Sequence, residues 1–425
     1  MLRKASVLLM GLVSTWLSLS AAAAALSEYR WDEINPSAPW APRAGQQVLN
    51  MEGSFYLIGG RTPIESEFIG ASILWGDVWR SDDRGKTWVQ LLEDAEASSL
   101  WKNRAYFQAV TKGGYLYVIG GQNFILVDNE CPPFPTDPPC PEVVPASDFF
   151  NDVWRSMDGI NWEPMTAAAP WDGRAGLSAV ALGDDIYVMA GSKNDDEAIG
   201  GGGPLPRVYF NDVWKSSDDG ATWQQMTAAA PWAPRAGGVV VVKDDWMYMI
   251  GGEAGFEGPY FNDTWRSQDG ATWQLMSADG GWPSRPGHKC GVVGDEIVCF
   301  GGFGLFANPV DMWSTTDGSS WTDLQQAPWN AMDPLDVKYD FDVVTTDNAQ
   351  GVPDTIYTFG GDRERFDLPP EVNVNLVDND VWAWSREAQR PSSAPAVPVP
   401  SMTAWSTTLL IGLLLAMAGW VLRRH

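Results

Sequence analysis

Phe210-Asn-Asp-Val-Trp214, Ser216-Ser-Asp218-Asp-Gly220-Ala-Thr222-Trp223 and Ala230-Pro-Trp-Ala-Pro-Arg235 follow one another in the chain. They return little changed as Phe261-Asn-Asp-Thr-Trp265, Ser267-Gln-Asp269-Gly270-Ala-Thr-Trp273 and Gly281-Trp-Pro-Ser-Arg285. A period of about 50 residues marks a repeat architecture, in which each unit buries its apolar faces against its neighbours. Working outward gives six copies. Apolar runs end in a double glycine or its equivalent at Gly59-Gly60, Gly120-Gly121, Gly191-Ser192, Gly251-Gly252, Gly301-Gly302 and Gly360-Gly361. An Asp-x-Trp follows at Asp77/Trp79, Asp152/Trp154, Asp212/Trp214, Asp263/Trp265, Asp311/Trp313 and Asp380/Trp382. A second Trp follows five of these, at Trp88, Trp162, Trp223, Trp273 and Trp321. The missing sixth lies at the front, where Tyr29-Arg-Trp31 and Ala38-Pro-Trp-Ala-Pro-Arg43 match Ala221-Thr-Trp223 and the stretch to Arg235. The strand near Trp31 is therefore expected to complete the sheet begun around Trp382. A solenoid has no need of that exchange; a closed ring does.

Each unit reads as four short strands with turn signals between them, and no long 3.6-residue periodicity interrupts the repeats. The order of Arg, apolar strand, aromatic strand ending in Gly-Gly, spacer and Trp resembles the kelch repeat of six-bladed β-propellers, of the kind found in the central domain of galactose oxidase. The resemblance covers roughly residues 29–386 and implies an all-β six-bladed propeller closed by an N-terminal strand. Ser81-Asp-Asp83-Arg-Gly85-Lys-Thr87-Trp88 and Ser216 to Trp223 look like the Asp-box, with versions one residue shorter in blades two, four and five. Asp accepts from turn amides, Gly takes the positive φ and Trp packs between blades. Asp-boxes occur in sialidases, where they are folding devices remote from catalysis, so they imply architecture here.

The chain ends read as addresses. Residues 1–25 have a basic start (Arg3, Lys4), an apolar stretch and an Ala-rich cleavage region, the pattern of a secretory signal peptide. The propeller is expected over 26–386, a Pro/Ala/Ser linker over 387–400 and a tail over 401–425. The tail has Ser401-Met-Thr-Ala-Trp405, an apolar helix over about 407–422 and Arg423-Arg424. It resembles bacterial C-terminal sorting signals of the IPTL and PEP types, departing from them at Met402. That implies export to the periplasm, cell envelope or exterior of a Gram-negative-type bacterium. The chain would be held in the membrane by the C-terminal transmembrane helix until a sorting protease processes it; a plain uncleaved anchor is the alternative. Export fits the four cysteines. Cys131 and Cys140 bracket a Pro-rich loop suited to a disulfide. Cys290 and Cys299 would face one another if a two-residue turn falls at Gly294-Asp295, as a bridge or as two small buried hydrophobes.

The formal charge is −26; without Arg3, Lys4, Arg423 and Arg424 there remain 24 basic against 54 acidic residues, a net of −30. Such a surface repels nucleic acid, which is excluded as a partner. Acidic stretches at Asp195, Asp196 and Glu197 and at Asp378 and Asp380 lack a calcium-loop pattern. No metal or other cofactor is expected.

Alternating strand direction sorts the loops. Connections from second to third strand (61–75, 122–150, 192–210, 253–261, 303–310 and 362–378) carry the length variation and share a face with the connections between blades. The Asp-box turns lie opposite. Variable loops on a regular scaffold mark a binding face. On that face Arg43, Arg104, Arg174, Arg235 and Arg285 open the innermost strands, each 16 or 17 residues before its double glycine. Two readings stand. The arginines form a ligand-binding ring for carboxylates or acidic sugars, as arginines of kelch adaptors do, or they pair with the repeated Asp as architecture. In blade six Met332 falls where Arg is expected, with Lys338, Tyr339 and Asp340 near the start of the inner strand.

Catalysis meets a shortage of chemistry, and no catalytic residue is assigned. His288 and His425 are the two histidines. A Ser–His–Asp triad would need His288, without a nucleophile motif; a galactose-oxidase copper site or a zinc site needs several histidines. The sequence therefore leans to an exported, non-catalytic propeller that binds a protein or glycan partner through its variable-loop face. The kelch family of sialic-acid mutarotases, working at the channel mouth, is the enzymatic alternative.

Overall fold

The structure is a computed structural model that describes residues 26–66, 68, 70–128, 131, 142–194, 206–255, 258–304, 308–364 and 376–386. Among the described residues between Tyr29 and Arg386, regular structure is all β apart from two single 3-10 turns, Pro328–Asn330 and Pro334–Asp336. Six four-stranded antiparallel sheets form the blades. Their innermost strands are Gln47–Met51, Gln108–Lys112, Ser178–Leu182, Val239–Lys243, Lys289–Val293 and Asp342–Asp347. Each touches the next, and the last returns to the first. The propeller is closed as the repeats require. Tyr29–Asn35 is the outer strand of blade six and pairs antiparallel with Val377–Arg386, setting Tyr29 opposite Arg386 and Trp31 opposite Trp384. Asn379 donates to the carbonyls of Ala38 and Trp40, as Asn211 does to those of Ala230 and Trp232 within one continuous repeat.

Blades adhere through tryptophan. Trp40–Trp88, Trp101–Trp162, Trp171–Trp223, Trp232–Trp273 and Trp282–Trp321 meet edge to face at 5.8–6.2 Å, and Trp31 meets Trp329 at 5.8 Å in the sixth interface. Such pairs contribute about 0.5–1.5 kcal/mol each beyond the area they bury. The Asp-boxes aim the outer Trp of each pair. In blade three the Gly220 amide donates to Ser216 Oγ (2.8 Å), the Thr222 amide and hydroxyl to Asp218, and Trp223 Nε1 to the Gly220 carbonyl.

The double glycine brings neighbouring blades together. At Gly121, whose φ is +95°, an added Cβ would lie 2.6 Å from the Phe107 Cβ and 2.9 Å from the Ala105 carbonyl, while the Gly121 amide donates to the Arg174 carbonyl of the next blade. The equivalent pair in blade three is Ala190-Gly191, not Gly191-Ser192. Ala190 holds φ +59° and Gly191 +99°, and the Gly191 amide donates to the Arg235 carbonyl.

Cys290 and Cys299 form a disulfide across the inner hairpin of blade five, in the register expected from a turn at Gly294-Asp295. Cys131 is also disulfide-bonded; Cys140 lies outside the described residues. Outside them too lie residues 1–25, 195–205 and 387–425, and with them the expected signal peptide, linker, tail and first acidic stretch. No helix among the described residues is long and apolar enough to cross a membrane.

Candidate functional site at the channel mouth

The five arginines are 2% exposed or less. Arg43, Arg104, Arg174 and Arg235 fork onto Asp77, Asp152, Asp212 and Asp263 with N–O distances of 2.6 and 2.9–3.0 Å. Each also donates to the carbonyl of the first residue of its double glycine: Gly59, Gly120, Ala190 or Gly251. The same carboxylates accept from the Trp Nε1 two residues on, which explains the spacing of Asp-x-Trp. Aromatic rings flank the guanidinium, as Phe210 (3.9 Å) and Trp171 (5.7 Å) do for Arg174. Arg285 differs: it meets Asp311 as a single ion pair without the fork, and Trp313 Nε1 makes no hydrogen bond to that carboxylate. Buried on these partners, the arginines offer an anion no approach, and the repeated Arg–Asp pair is architectural.

Lys338, not Met332, holds the sixth position. Its Nζ bridges Asp380 and Asp378, it lies over the Trp329 ring, and its carbonyl accepts from the Gly302 amide. Those contacts, with Arg363 on Asp378, occupy the second acidic stretch with cations of the chain itself. Met332 is 95% exposed on the insert that carries the two 3-10 turns. That insert displaces the spacing counted from Trp329.

Symmetry breaks at two positions beside the channel. Two residues after each Arg or Lys stand Gly45, Tyr106, Gly176, Gly237, Gly287 and Asp340, all with φ between +50° and +67°. Their backbones are linked around the channel. Gly45, Tyr106, Gly176 and Gly237 donate to Asp340, Gly45, Tyr106 and Gly176 in turn, and Asp340 donates to Gly287. Four of the six are glycine, which suits a left-handed backbone; Tyr106 and Asp340 hold it at a cost of roughly 1–2 kcal/mol each. The Tyr106 ring lies over Gly45, where a Cβ would be 3.1 Å away. Its hydroxyl donates to Asp340 (3.0 Å) and accepts from Arg61 Nε (3.0 Å).

The second position is the residue after the double glycine: Arg61, Gln122, Ser192, Glu253, Phe303 and Asp362. Here Arg61 donates to Asp362 and to Glu364 (2.9 Å), and the Tyr339 hydroxyl donates to the Glu364 carbonyl. Burial pushes the Asp362 carboxyl well above the usual range, and Glu364 beside it adds to the shift against Arg61. Burial likewise raises Asp340, with Arg61 and the Tyr106 hydrogen bond opposing.

Below the linked backbones lies a cavity of about 250 Å³, walled by the inner strands of all six blades. Four residues after each Arg or Lys it presents Gln47, Gln108, Ser178, Val239, Lys289 and Asp342. Some of these satisfy the unpaired edges of neighbouring strands: Gln47 accepts from the Ala109 amide and Asp342 from the Val48 amide. Lys289 Nζ stands 3.4 Å from Asp342, whose carboxyl burial raises.

His288 serves no triad. Its Nδ1 lies 3.0 Å from the Arg285 carbonyl, so that nitrogen carries the hydrogen. Burial, helped by the charges of Arg285 and Lys289, pushes the imidazole down to about 3. No group of three or more potential metal ligands occurs among the described residues.

Sequence reasoning saw the ring of arginines and missed Arg61, Tyr106, Asp362 and Glu364. A signal was available: the residue after the double glycine differs in every copy.

A closed ring of six such blades, with double-glycine hairpins and Asp-boxes, defines a six-bladed kelch-type β-propeller. Comparison with known proteins agrees. Residues 145–302 match the KLHDC2/KLHL20/DRC7 kelch-repeats domain, and residues 78–91 match the BNR-Asp box repeat. The solved structure of YjhT is similar in fold, with a TM-score of 0.56 and 16% identity over 82% of this chain and 96% of that one. No curated protein matches the chain in sequence.

Proposed function

We propose that the chain is an exported, non-catalytic propeller that binds a protein or glycan partner at the channel mouth on its variable-loop face, sorted to the envelope by its tail. One observation carries the reading. The six-fold pattern is kept where side chains hold the ring together and abandoned beside the channel mouth, where Tyr106 and Asp340 keep a costly backbone that glycine supplies in the other blades. The disulfide of blade five supports an oxidising compartment.

A second reading, a sugar mutarotase, is favoured by Asp340. Its buried carboxyl, whose hold on a proton burial strengthens and which accepts from the Tyr106 hydroxyl beside a polar cavity, is a group of the kind that proton transfer in anomer interconversion uses.

A glycan array together with proton-exchange NMR on sialic-acid anomers separates the two. Retention of a partner without faster interconversion is expected, with retention lost in Tyr106→Ala. Accelerated interconversion by the parent, abolished in Asp340→Asn, overturns the binding reading.

A further inference from the structure

We infer that the channel cavity takes one neutral, monosaccharide-sized polyol, held by the side chains four residues beyond the ring of Arg and Lys. This rests on the proposed binding face and names the ligand class its deepest part would recognise. Size comes first. About 250 Å³ has room for about eight waters at roughly 30 Å³ each, or one pyranose ring, but not a chain of them.

The wall then selects by charge. Gln108, Lys289 and Asp342 supply donors and acceptors at one depth, beside Gln47 and Ser178, whose side chains are bonded to the backbone, and Asp340 stands above them. A carboxylate ligand would meet two acids for one lysine. An ammonium ligand would find Asp342 already paired with Lys289 and Asp340 already bonded to Tyr106. A neutral polyol needs both donors and acceptors and brings no charge. The main chain of Gln108 pairs with Ile119 in the inner hairpin, while its side-chain amide makes no hydrogen bond among the described residues and can serve a hydroxyl as both donor and acceptor. Lys289 joins the cavity wall from blade five, across the ring from blade two, and stands 3.4 Å from Asp342.

Approach is asymmetric. Tyr106 and Asp340, joined by their hydrogen bond, cover the side of blades six, one and two. Gly176, Gly237 and Gly287 leave the opposite side without side chains; a Cβ at Gly237 would meet nothing nearer than 3.9 Å.

The test is saturation-transfer NMR on the full chain with D-glucose, D-galactose and D-mannose, and with D-glucuronate and D-glucosamine as charged arms. At least one neutral sugar should receive saturation. Its affinity should fall roughly tenfold in Gln108→Leu and in Lys289→Met, the loss of one or two good hydrogen bonds. Tryptophan-fluorescence unfolding should be unchanged in Gln108→Leu. The inference is overturned if no neutral sugar is saturated, if Gln108→Leu binds as the parent does, or if either charged sugar binds more tightly. Where an array glycan is retained by the parent and by both variants, the binding face stands and the channel assignment alone fails.

Discussion

Replacing Arg235 by Met should destabilise the propeller by about 3–5 kcal/mol, because it strands a carboxylate inside the wall. In the native ring Arg235 is fully buried and makes two charged hydrogen bonds to Asp263, one to the Gly251 carbonyl and one to the Ala233 carbonyl. Its guanidinium also lies 4.2 Å from the Phe261 ring. Adding the bonds at about 1.5–3 kcal/mol each would overshoot, since water recovers part of the loss, so the cost of the unpaired charge sets the scale. Removing that charge as well, in Arg235→Met with Asp263→Asn, should therefore recover part of the loss, although Trp265 Nε1 still needs its acceptor. Urea unfolding followed by tryptophan fluorescence measures both variants and the double-mutant coupling. If Arg235→Met unfolds within 1 kcal/mol of the parent, or if coupling to Asp263 is absent, the architectural account of the arginines is wrong and they return as ligand groups.

Three further outcomes are expected. Trp31→Ala should cost about 3–5 kcal/mol, as Trp223→Ala should, because both fill the same place between blades; a much smaller loss for Trp31 in urea unfolding would refute closure by the N-terminal strand. Joint replacement of Cys290 and Cys299 by Ala should cost about 2–3 kcal/mol for so short a closed loop, measured by the shift of the urea midpoint under oxidising conditions. Burial opposes charge on Asp83, Asp158, Asp218 and Asp269, yet the turn hydrogen bonds outweigh it and hold all four below the usual value. Their stabilisation is thus present above about pH 4 and lost as pH falls through the lowered values, whereas Asp340 and Asp362, raised in the fold, oppose folding increasingly as pH rises above about 4. Asp340→Asn should accordingly gain on the parent with rising pH in urea titrations, and a constant difference would refute the shift.

What the sequence made legible was whatever recurs. The six Asp-x-Trp units, the Asp-box hairpins, the exchange at Trp31 and the facing of Cys290 and Cys299 all follow from spacing, and the fold has each in place. The register failed where an insert intervenes. Counting from Trp329 reached Met332, because nothing in a periodic reading shows that two 3-10 turns delay the cation to Lys338. The channel mouth was illegible for a deeper reason. Arg61 and Asp362 are 301 residues apart and meet only because the ring closes, and Tyr106 and Asp340 are single departures that no repeat announces.

Because Tyr29 and Arg386 are antiparallel neighbours, a few added residues could splice them into an ordinary β-turn. The chain could then begin and end elsewhere, for instance in the open turn at Gly113-Gly114, where a side chain would meet nothing. Such a circularly permuted version would keep every interface while moving the seam to a blade of the experimenter's choosing.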